Sequence, residues 1–171
     1  MTHLAVWMAN YLTGVRHERT TVLEWNQHGD FRRMGRFCAG SDKFCRILDV
    51  DYYADAGAEE LVRCMNADYR RIIVDFGEIS EESLRECARC DRKLILGALS
   101  EWRANAFLEE VKRQKKRDKG WIYAAAFGSE ETRREIEKTF RMTCLRIPSS
   151  VDAFVITRSD MRFFEKMLKL K

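Results

Sequence analysis

The feature that most constrains the fold is the segment Arg71–Phe76, which reads RIIVDF and is almost continuously apolar. A strand with one face in water alternates apolar and polar residues, whereas a strand covered on both faces does not. The segments Lys93–Leu99 and Trp121–Phe127 have the same continuous character. The sequence therefore predicts an α/β fold with a mainly parallel sheet and helices on both faces.

Segments of helical character alternate with these strands. Residues 2–13 carry apolar side chains at helical spacing, and Gly14 is expected to end that helix. Ser80, Ser100 and Ser129 are candidate N-caps of later helices. The other predicted helices cover residues 57–67 and the C-terminus from about residue 159. Three further strands are predicted at Thr20–Trp25, Phe44–Val50 and Thr143–Ile147.

Length and composition limit the class of protein. The 171 residues, of which 46% are apolar, predict a single folded domain spanning residues 1–171 and exclude a disordered chain. The net charge of +4 is too small to indicate a nucleic-acid partner by itself. The six cysteines come without a signal peptide, so we expect free thiols and a cytoplasmic protein.

Three segments carry a family resemblance. The opening TxLAxxLAxyL-like helix that begins at Thr2 resembles the helix after the Walker A loop of the bacterial MinD/ParA-type P-loop ATPases. The segment Glu24–Asp30 (EWNQHGD) stands where that family has roughly Asp-x-Asp-x-x-Gly-Asn/Asp. The strand ending at Asp75 is similar to the Walker B strand. The series follows the family order along nearly the whole chain.

The resemblance implies roles for particular residues. Thr2 and Asp75 would bind magnesium, if nucleotide binds, and Glu24 and Asn26 would occupy the catalytic positions. Glu24 could keep the acidic charge, whereas Asn26 cannot act as a base. Pro148 and Asp152 match the segment that borders the adenine, and Thr2 would also contact the nucleotide.

The resemblance also implies what is missing. The family's first strand and its glycine-rich loop precede the position of Thr2, and these 171 residues contain no such loop. We therefore expect a domain of a partitioning, positioning or secretion/pilus-assembly ATPase that is not catalytic as it stands, through truncation or true loss of the loop. No cofactor is expected for this chain, although intact relatives use ATP and magnesium. The alternative is a degenerate scaffold or protein-interaction module with no nucleotide role.

For the CxxC pair, the basic run and the C-terminal segment we favour a structural role over a functional one. Cys87 and Cys90 form a single CxxC at a predicted helix end, so two helix-end thiols are favoured over a zinc or thioredoxin-like site. The basic run could contact DNA, but we favour a solvated helix end; its cations are Lys112, Arg113, Lys115, Lys116 and Arg117. Residues 160–171 could lie on a membrane, but we favour a helix packed in the fold. A sheet lacking its first strand should self-associate or bind a protein partner.

Overall fold

A computed structural model describes residues 1–36, 41–100, 102–117 and 121–169, with only the backbone of 115–117. Strands and helices alternate along the chain as the sequence predicts. The helices are α1 Thr2–Gly14, α2 Asp30–Gly35, α3 Ala58–Met65, α4 Glu81–Cys87, α5 Ala104–Arg117, α6 Glu130–Phe140 and α7 Arg158–Leu168. The strands are β1 Thr20–Glu24, β2 Phe44–Ile47, β3 Val50–Tyr53, β4 Arg71–Asp75, β5 Lys93–Ala98, β6 Trp121–Ala126 and β7 Cys144–Arg146.

The contacts divide the chain into two compact units. Unit 1 is Met1–Arg85 with Ser150–Met161, and unit 2 is Glu86–Ser149 with Arg162–Lys171. Each unit has its own sheet flanked by helices, which confirms the α/β class. The described strands form a four-stranded and a three-stranded sheet. That residues 1–171 act as one domain stays a prediction.

The sheet of unit 1 has the strand order β2-β3-β1-β4. Strand β1 runs parallel to both β3 and β4, and only the β2–β3 pair is antiparallel. In the register of β1 with β4, Glu24 lies beside Asp75 at the carboxyl ends of the two strands. The fold thus places two acidic side chains next to each other at the sheet edge where parallel-sheet proteins bind ligands.

Strand Phe44–Val50 of the sequence prediction is wrong, because the chain reverses within it. Ile47 pairs with Val50, so β2 and β3 form a hairpin whose two-residue turn is Leu48–Asp49. Both turn residues are left-handed, with φ of 48° and 62°. Primed turns of this kind usually carry Asn-Gly or Asp-Gly, and neither dipeptide is present to signal this one.

The hairpin contains an ion pair between Arg46 and Asp51, of which only Asp51 is buried. Asp51 is 2% exposed, and its carboxylate accepts hydrogen bonds from Arg46 at 2.5 and 2.8 Å and from the Tyr69 hydroxyl at 2.6 Å. Burial alone would raise the pKa of Asp51, but the bonds from Arg46 and Tyr69 hold that pKa below its ordinary value. The network ties the edge hairpin to the loop before β4.

Helix α1 is a core helix. Most of its residues are buried, including Trp7, Tyr11 and the polar Asn10, whose amide donates to the Val6 carbonyl at 2.9 Å and the Tyr52 hydroxyl at 3.2 Å. The indole of Trp7 donates to the Val155 carbonyl at 3.2 Å, which holds the segment 150–161 against the helix. A helix buried all round has its ends fixed by tertiary packing, so the position of Thr2 at its first turn is well defined.

The sheet of unit 2 is entirely parallel, in the order β5-β6-β7. Its core is formed by side chains of both strands and helices: Ile95, Leu99, Phe107, Val111, Tyr123, Ala125, Ile136 and Cys144. Gly97 is necessary there, because a Cβ at this position would lie 2.2 Å from the Phe107 ring. The absent side chain lets α5 pack directly on β5.

Two of the predicted serine caps are confirmed. The Ser80 hydroxyl accepts from the Ser83 amide at 3.1 Å, and the Ser129 hydroxyl accepts from the Thr132 amide at 3.0 Å. Helix α5 begins at Ala104, four residues after Ser100, whose carbonyl accepts from the Arg103 and Ala104 amides. Ser100 therefore precedes the helix through a turn and does not cap it as predicted.

The C-terminal helix α7 buries its apolar stripe. The side chains at the buried positions are at most 9% exposed, as the packed-helix interpretation predicts; they are Phe163, Phe164 and Met167. In the described part of the chain, every helix is too short or too polar to cross a bilayer. Residues 170–171 of the tail lie outside the described residues.

Candidate functional site

The candidate site lies in unit 1, where β1 and β4 end side by side and α1 begins. The Thr2 hydroxyl is 2.9 Å from an oxygen of Asp30 and 3.0 Å from an oxygen of Asp75. A hydroxyl has one proton, so it cannot donate fully to both carboxylates. Two like charges therefore meet at one oxygen, an arrangement that a bound cation would stabilise.

Asp75 is held from two sides. It is 2% exposed, and its second oxygen accepts a hydrogen bond from the Gly77 amide at 2.9 Å. Gly77 has φ of +67°, and a Cβ there would lie 2.8 Å from the Asn26 Cβ. Glycine is thus required for the chain to turn over Asn26 and still donate to Asp75.

Glu24 contacts the start of helix α2. Its two carboxylate oxygens accept the amides of Asp30 at 2.7 Å and Phe31 at 3.2 Å, the first residues of α2. The side chain is fully buried. Glu24 thereby anchors the start of α2 and sets the position of Asp30 beside Thr2.

The fold disfavours the ionised form of Glu24. Burial raises the pKa of Glu24 above its ordinary value; the amides of Asp30 and Phe31 lower it, and the charges of Asp30 and Asp75 raise it. The net direction is upward. The charges of Asp30 and Asp75 thus oppose the ionisation of Glu24, and the Arg33 guanidinium lies 2.9 Å from Asp30.

Asn26 is used for loop structure. Its amide donates to the Asp75 carbonyl at 2.9 Å, and its side-chain oxygen accepts from the His28 amide at 2.9 Å. Both ends of the amide therefore hold the loop between β1 and α2. His28 itself is exposed, as expected for a solvated loop residue.

The donor set fits magnesium. Hard oxygen ligands at ~2.0–2.1 Å in an octahedron place adjacent ligands about 2.9 Å apart, which matches the separations of Thr2 from Asp30 and Asp75. Among the described residues no three His, Cys, Asp or Glu side chains converge as a ready metal centre. Magnesium usually takes one or two carboxylates and completes its shell with water and phosphate.

The site joins some of the predicted residues and not others. Thr2, Glu24, Asn26 and Asp75 come together. Asp152 accepts from the Phe154 amide at 2.8 Å within its own turn, and Pro148 belongs to unit 2. No hydrogen bond of the described residues links either one to Thr2 or Asp75.

Sequence reasoning missed Asp30. The residue was noted only as the end of the Glu24–Asp30 segment, and its contact with Thr2 depends on α2 folding back over Glu24. The available signal was the acidic residue after Gly29, since glycine followed by Asp is a common way to start a helix.

The basic run of α5 is partly neutralised. Lys112 lies 2.8 Å from Glu109, and Arg113 lies 2.9 Å from Glu110, each pair within the helix. These contacts agree with a solvated helix surface. The side chains of Lys115, Lys116 and Arg117 lie outside the described residues.

The comparisons rest on structure alone. No protein-family model matches the chain, and no curated protein matches its sequence. One similar structure is a plasmid partition protein of Borrelia burgdorferi B31 bound to AMPPNP. It has a TM-score of 0.63 at 9% identity, over 96% of this chain and 89% of the other.

A second similar structure is the MinC:MinD cell division protein complex of Aquifex aeolicus. The TM-score is 0.62 at 11% identity, and the alignment covers 99% of this chain and 89% of the other. At such identities the likeness concerns the fold. It agrees with the resemblance that the sequence motifs indicated, and the chain has the MinD/ParA-type α/β fold.

Proposed function

We propose that residues 1–171 form the cation-binding core of a MinD/ParA-like nucleotide switch that acts in the cytoplasm in partitioning, positioning or secretion/pilus assembly. On their own these residues do not hydrolyse ATP. The observation that carries the proposal is the meeting of the Thr2 hydroxyl with the carboxylates of Asp30 and Asp75 at 2.9 and 3.0 Å.

The proposed roles follow from the contacts. Thr2 and Asp75 hold magnesium, Asp30 adds a third oxygen, and Glu24 positions Asp30 through α2. Magnesium, when bound, neutralises charge on the phosphates of a nucleotide. Thr2 lies in the first turn of α1, where the helix N-terminus favours an anionic group beside the cation.

Two features explain the expected lack of hydrolysis. The 171 residues contain no glycine-rich G-x4-G-K-[ST] loop to hold a triphosphate. The candidate catalytic side chains are also engaged, since Glu24 accepts two amides and Asn26 spans Asp75 and His28. The Asn26 amide cannot accept a proton, and the Glu24 carboxylate is occupied in anchoring α2.

The similar structures suggest the ligand and the kind of partner. One of those proteins is bound to AMPPNP, and the other is in complex with MinC. For this chain we infer ATP as the ligand of a complete site, and a protein or a second copy of the chain as the partner.

A scaffold without nucleotide is the second candidate. Its support is Asn26, which stands where an acidic residue is usual and is fully used in holding the loop between β1 and α2. In this version the Thr2–Asp75 contact only ties α1 to β4.

Metal binding separates the two candidates. The loss of the free Mn²⁺ signal in electron paramagnetic resonance measures binding to the chain. We expect weak binding that is abolished by Asp75→Ala and reduced at least tenfold by Asp30→Ala. Asp68→Ala is the matched control, because the Asp68 side chain is fully exposed and its ion pair is with Arg19, which is not a residue of the site. Equal Mn²⁺ binding by all variants would reject the cation site and favour the scaffold.

Nucleotide binding is tested in two forms of the protein. Calorimetry on the chain should detect no micromolar ATP affinity. A fusion that adds a strand and a glycine-rich loop before Thr2 should bind ATP with magnesium, and Asp75→Ala should weaken only the magnesium-dependent part. Micromolar binding without the added loop would contradict the proposal.

A further inference from the structure

The two cysteines of the CxxC segment lie in one turn. Helix α4 ends at Cys87, and the amide of Cys90 donates to the Cys87 carbonyl at 3.0 Å. An i to i+3 bond of this kind defines a turn whose end Cα atoms are less than ~7 Å apart. Disulfides need Cα atoms at about 4.4–6.8 Å, so the backbone already meets the main geometric requirement.

The two side chains also interact. A hydrogen bond couples the Cys87 and Cys90 thiols, and the Cys90 thiol lies 4.0 Å from the Glu86 carbonyl oxygen. Both side chains are half-buried, so small reagents can reach them. The other described cysteines, Cys45, Cys64 and Cys144, are buried.

The electrostatics make the two thiols unequal. The hydrogen bond from Cys87 lowers the pKa of Cys90 to about 7, against burial and the charges of Asp91 and Glu86, with help from Lys93. The same bond, together with burial, raises the pKa of Cys87. A larger fraction of Cys90 is therefore thiolate near neutral pH than of an ordinary cysteine.

We propose that Cys87 and Cys90 form a reversible dithiol–disulfide site that is oxidised by low-molecular-weight disulfides such as glutathione disulfide. The Cys90 thiolate attacks one sulfur of the small disulfide, which forms a mixed disulfide and releases one small thiolate. Cys87 then gives its proton to that thiolate and attacks the Cys90 sulfur. The second small thiolate leaves and takes a proton from solvent. Two protein thiols are oxidised, and one small disulfide is reduced to two thiols.

A dithiol fits better than a metal ligand pair. Among the described residues no third His, Cys, Asp or Glu joins the two sulfurs in a metal-binding group. The position also gives the disulfide a structural consequence. It would close the turn between α4 and β5, which is otherwise held at Cys90 by the contacts of its amide with the Cys87 carbonyl and of its thiol with the Glu86 carbonyl.

The test is peptide mapping after oxidation. The intact chain is incubated with excess glutathione disulfide, quenched with acid, alkylated and cut with trypsin. Trypsin cleaves after Arg89, so the proposed disulfide joins the peptides 86–89 and 90–92 into one reducible species. We expect this species as the main product, and a non-reducing gel should show it within monomers.

The single variants identify the order of events. Cys87→Ala should trap glutathione on Cys90, and Cys90→Ala should leave Cys87 at least tenfold less modified. Cys144→Ala is the control and should keep the linked peptides. The proposal is overturned if the intact chain yields only glutathione adducts, links Cys87 or Cys90 to another cysteine, or resists oxidation. Because no metal or nucleotide takes part, failure here leaves the proposed function untouched.

Discussion

Strands β1 and β4 lie side by side but differ in burial. All five residues of β1 (TTVLE) are buried, whereas four of the five in β4 (RIIVD) are only half-buried, although β4 is the more apolar strand. Strand β1 pairs with β3 and β4, while β4 pairs with β1 alone in the described sheet. Apolar sequence therefore shows what a strand can bury, and its neighbours decide what it does bury.

The carboxyl ends of the same two strands do not follow this difference. Glu24 and Asp75 are both buried, with at most 2% of each residue exposed. The reason is that loop backbone covers both: α2 donates to Glu24, and Gly77 donates to Asp75. The candidate site is thus built from turns after the strands and does not depend on how well β4 is covered along its length.

The largest expected effect is on the free energy of unfolding, when one apolar side chain of each strand is truncated. Leu23→Ala in β1 should lower the free energy of unfolding by about 3–4 kcal/mol, because the side chain is fully buried. Ile73→Ala in β4 should cost about 1–2 kcal/mol, since part of that side chain is already exposed. Urea titrations of both variants measure the difference. Equal losses would show that something else covers β4 in solution.

Self-association is the natural candidate for such a cover. We expect the chain to associate in a concentration-dependent way through β4, and Ile73→Lys should weaken association about tenfold because a lysine on an edge strand opposes pairing. Sedimentation velocity over a range of concentrations measures this. Val62→Lys is the matched control on the exposed face of α3. If the control dissociates the protein instead, the helix is the interface.

The glycines after the two strands provide a matched pair. Gly29 follows β1 and Gly77 follows β4, both with φ of +67°, but only Gly77 would place a Cβ against Asn26. Gly29→Ala should cost about 1 kcal/mol of backbone strain, and Gly77→Ala about 2 kcal/mol or more. Thermal unfolding compares them. Similar losses would mean that the Asn26 loop moves freely and does not fix Asp75.

The smallest expected effect is in the pH dependence of stability. The pKa of Glu24 is raised in the fold, so its contribution is fully present below its unfolded pKa and is lost as pH rises through the folded pKa. Stability should therefore increase on going from pH 7 towards 5, and Glu24→Gln should flatten that rise. The pKa of Asp51 is lowered, so its contribution is lost only as pH falls below about 4. A wild-type profile already flat between pH 7 and 5 would argue against a strained Glu24.

The parts of the fold that were predictable depend on local pattern. Continuous apolar runs located β4, β5 and β6 to within one residue, whereas Thr2 and Asp75 were indicated by the family resemblance. The β2–β3 hairpin was missed because its turn uses Leu48 and Asp49, which give no glycine signal. Which strands pair within which sheet is a long-range property that local pattern does not determine.

The sequence indicated Thr2, Glu24, Asn26 and Asp75 through the family resemblance, but it did not indicate Asp30. Asp30 reaches Thr2 because the Glu24 carboxylate accepts the amides at the start of α2, six and seven residues further along the chain. The same contact makes Glu24 an anchor of α2. Side-chain capture of backbone amides leaves no periodic trace in a sequence, so neither outcome could be derived from spacing.

The Leu48–Asp49 turn has a consequence for protein engineering. Two consecutive non-glycine residues with φ of 48° and 62° hold a conformation that costs roughly 1 kcal/mol or more, and Leu48 is largely exposed. Asn-Gly at these positions would keep the hairpin register and release that strain. Because the turn lies outside the candidate site, the change would raise the tolerance of the chain for damaging substitutions elsewhere. Variants of Asp75 or Glu24 that are too unstable to purify in the native background could then be measured.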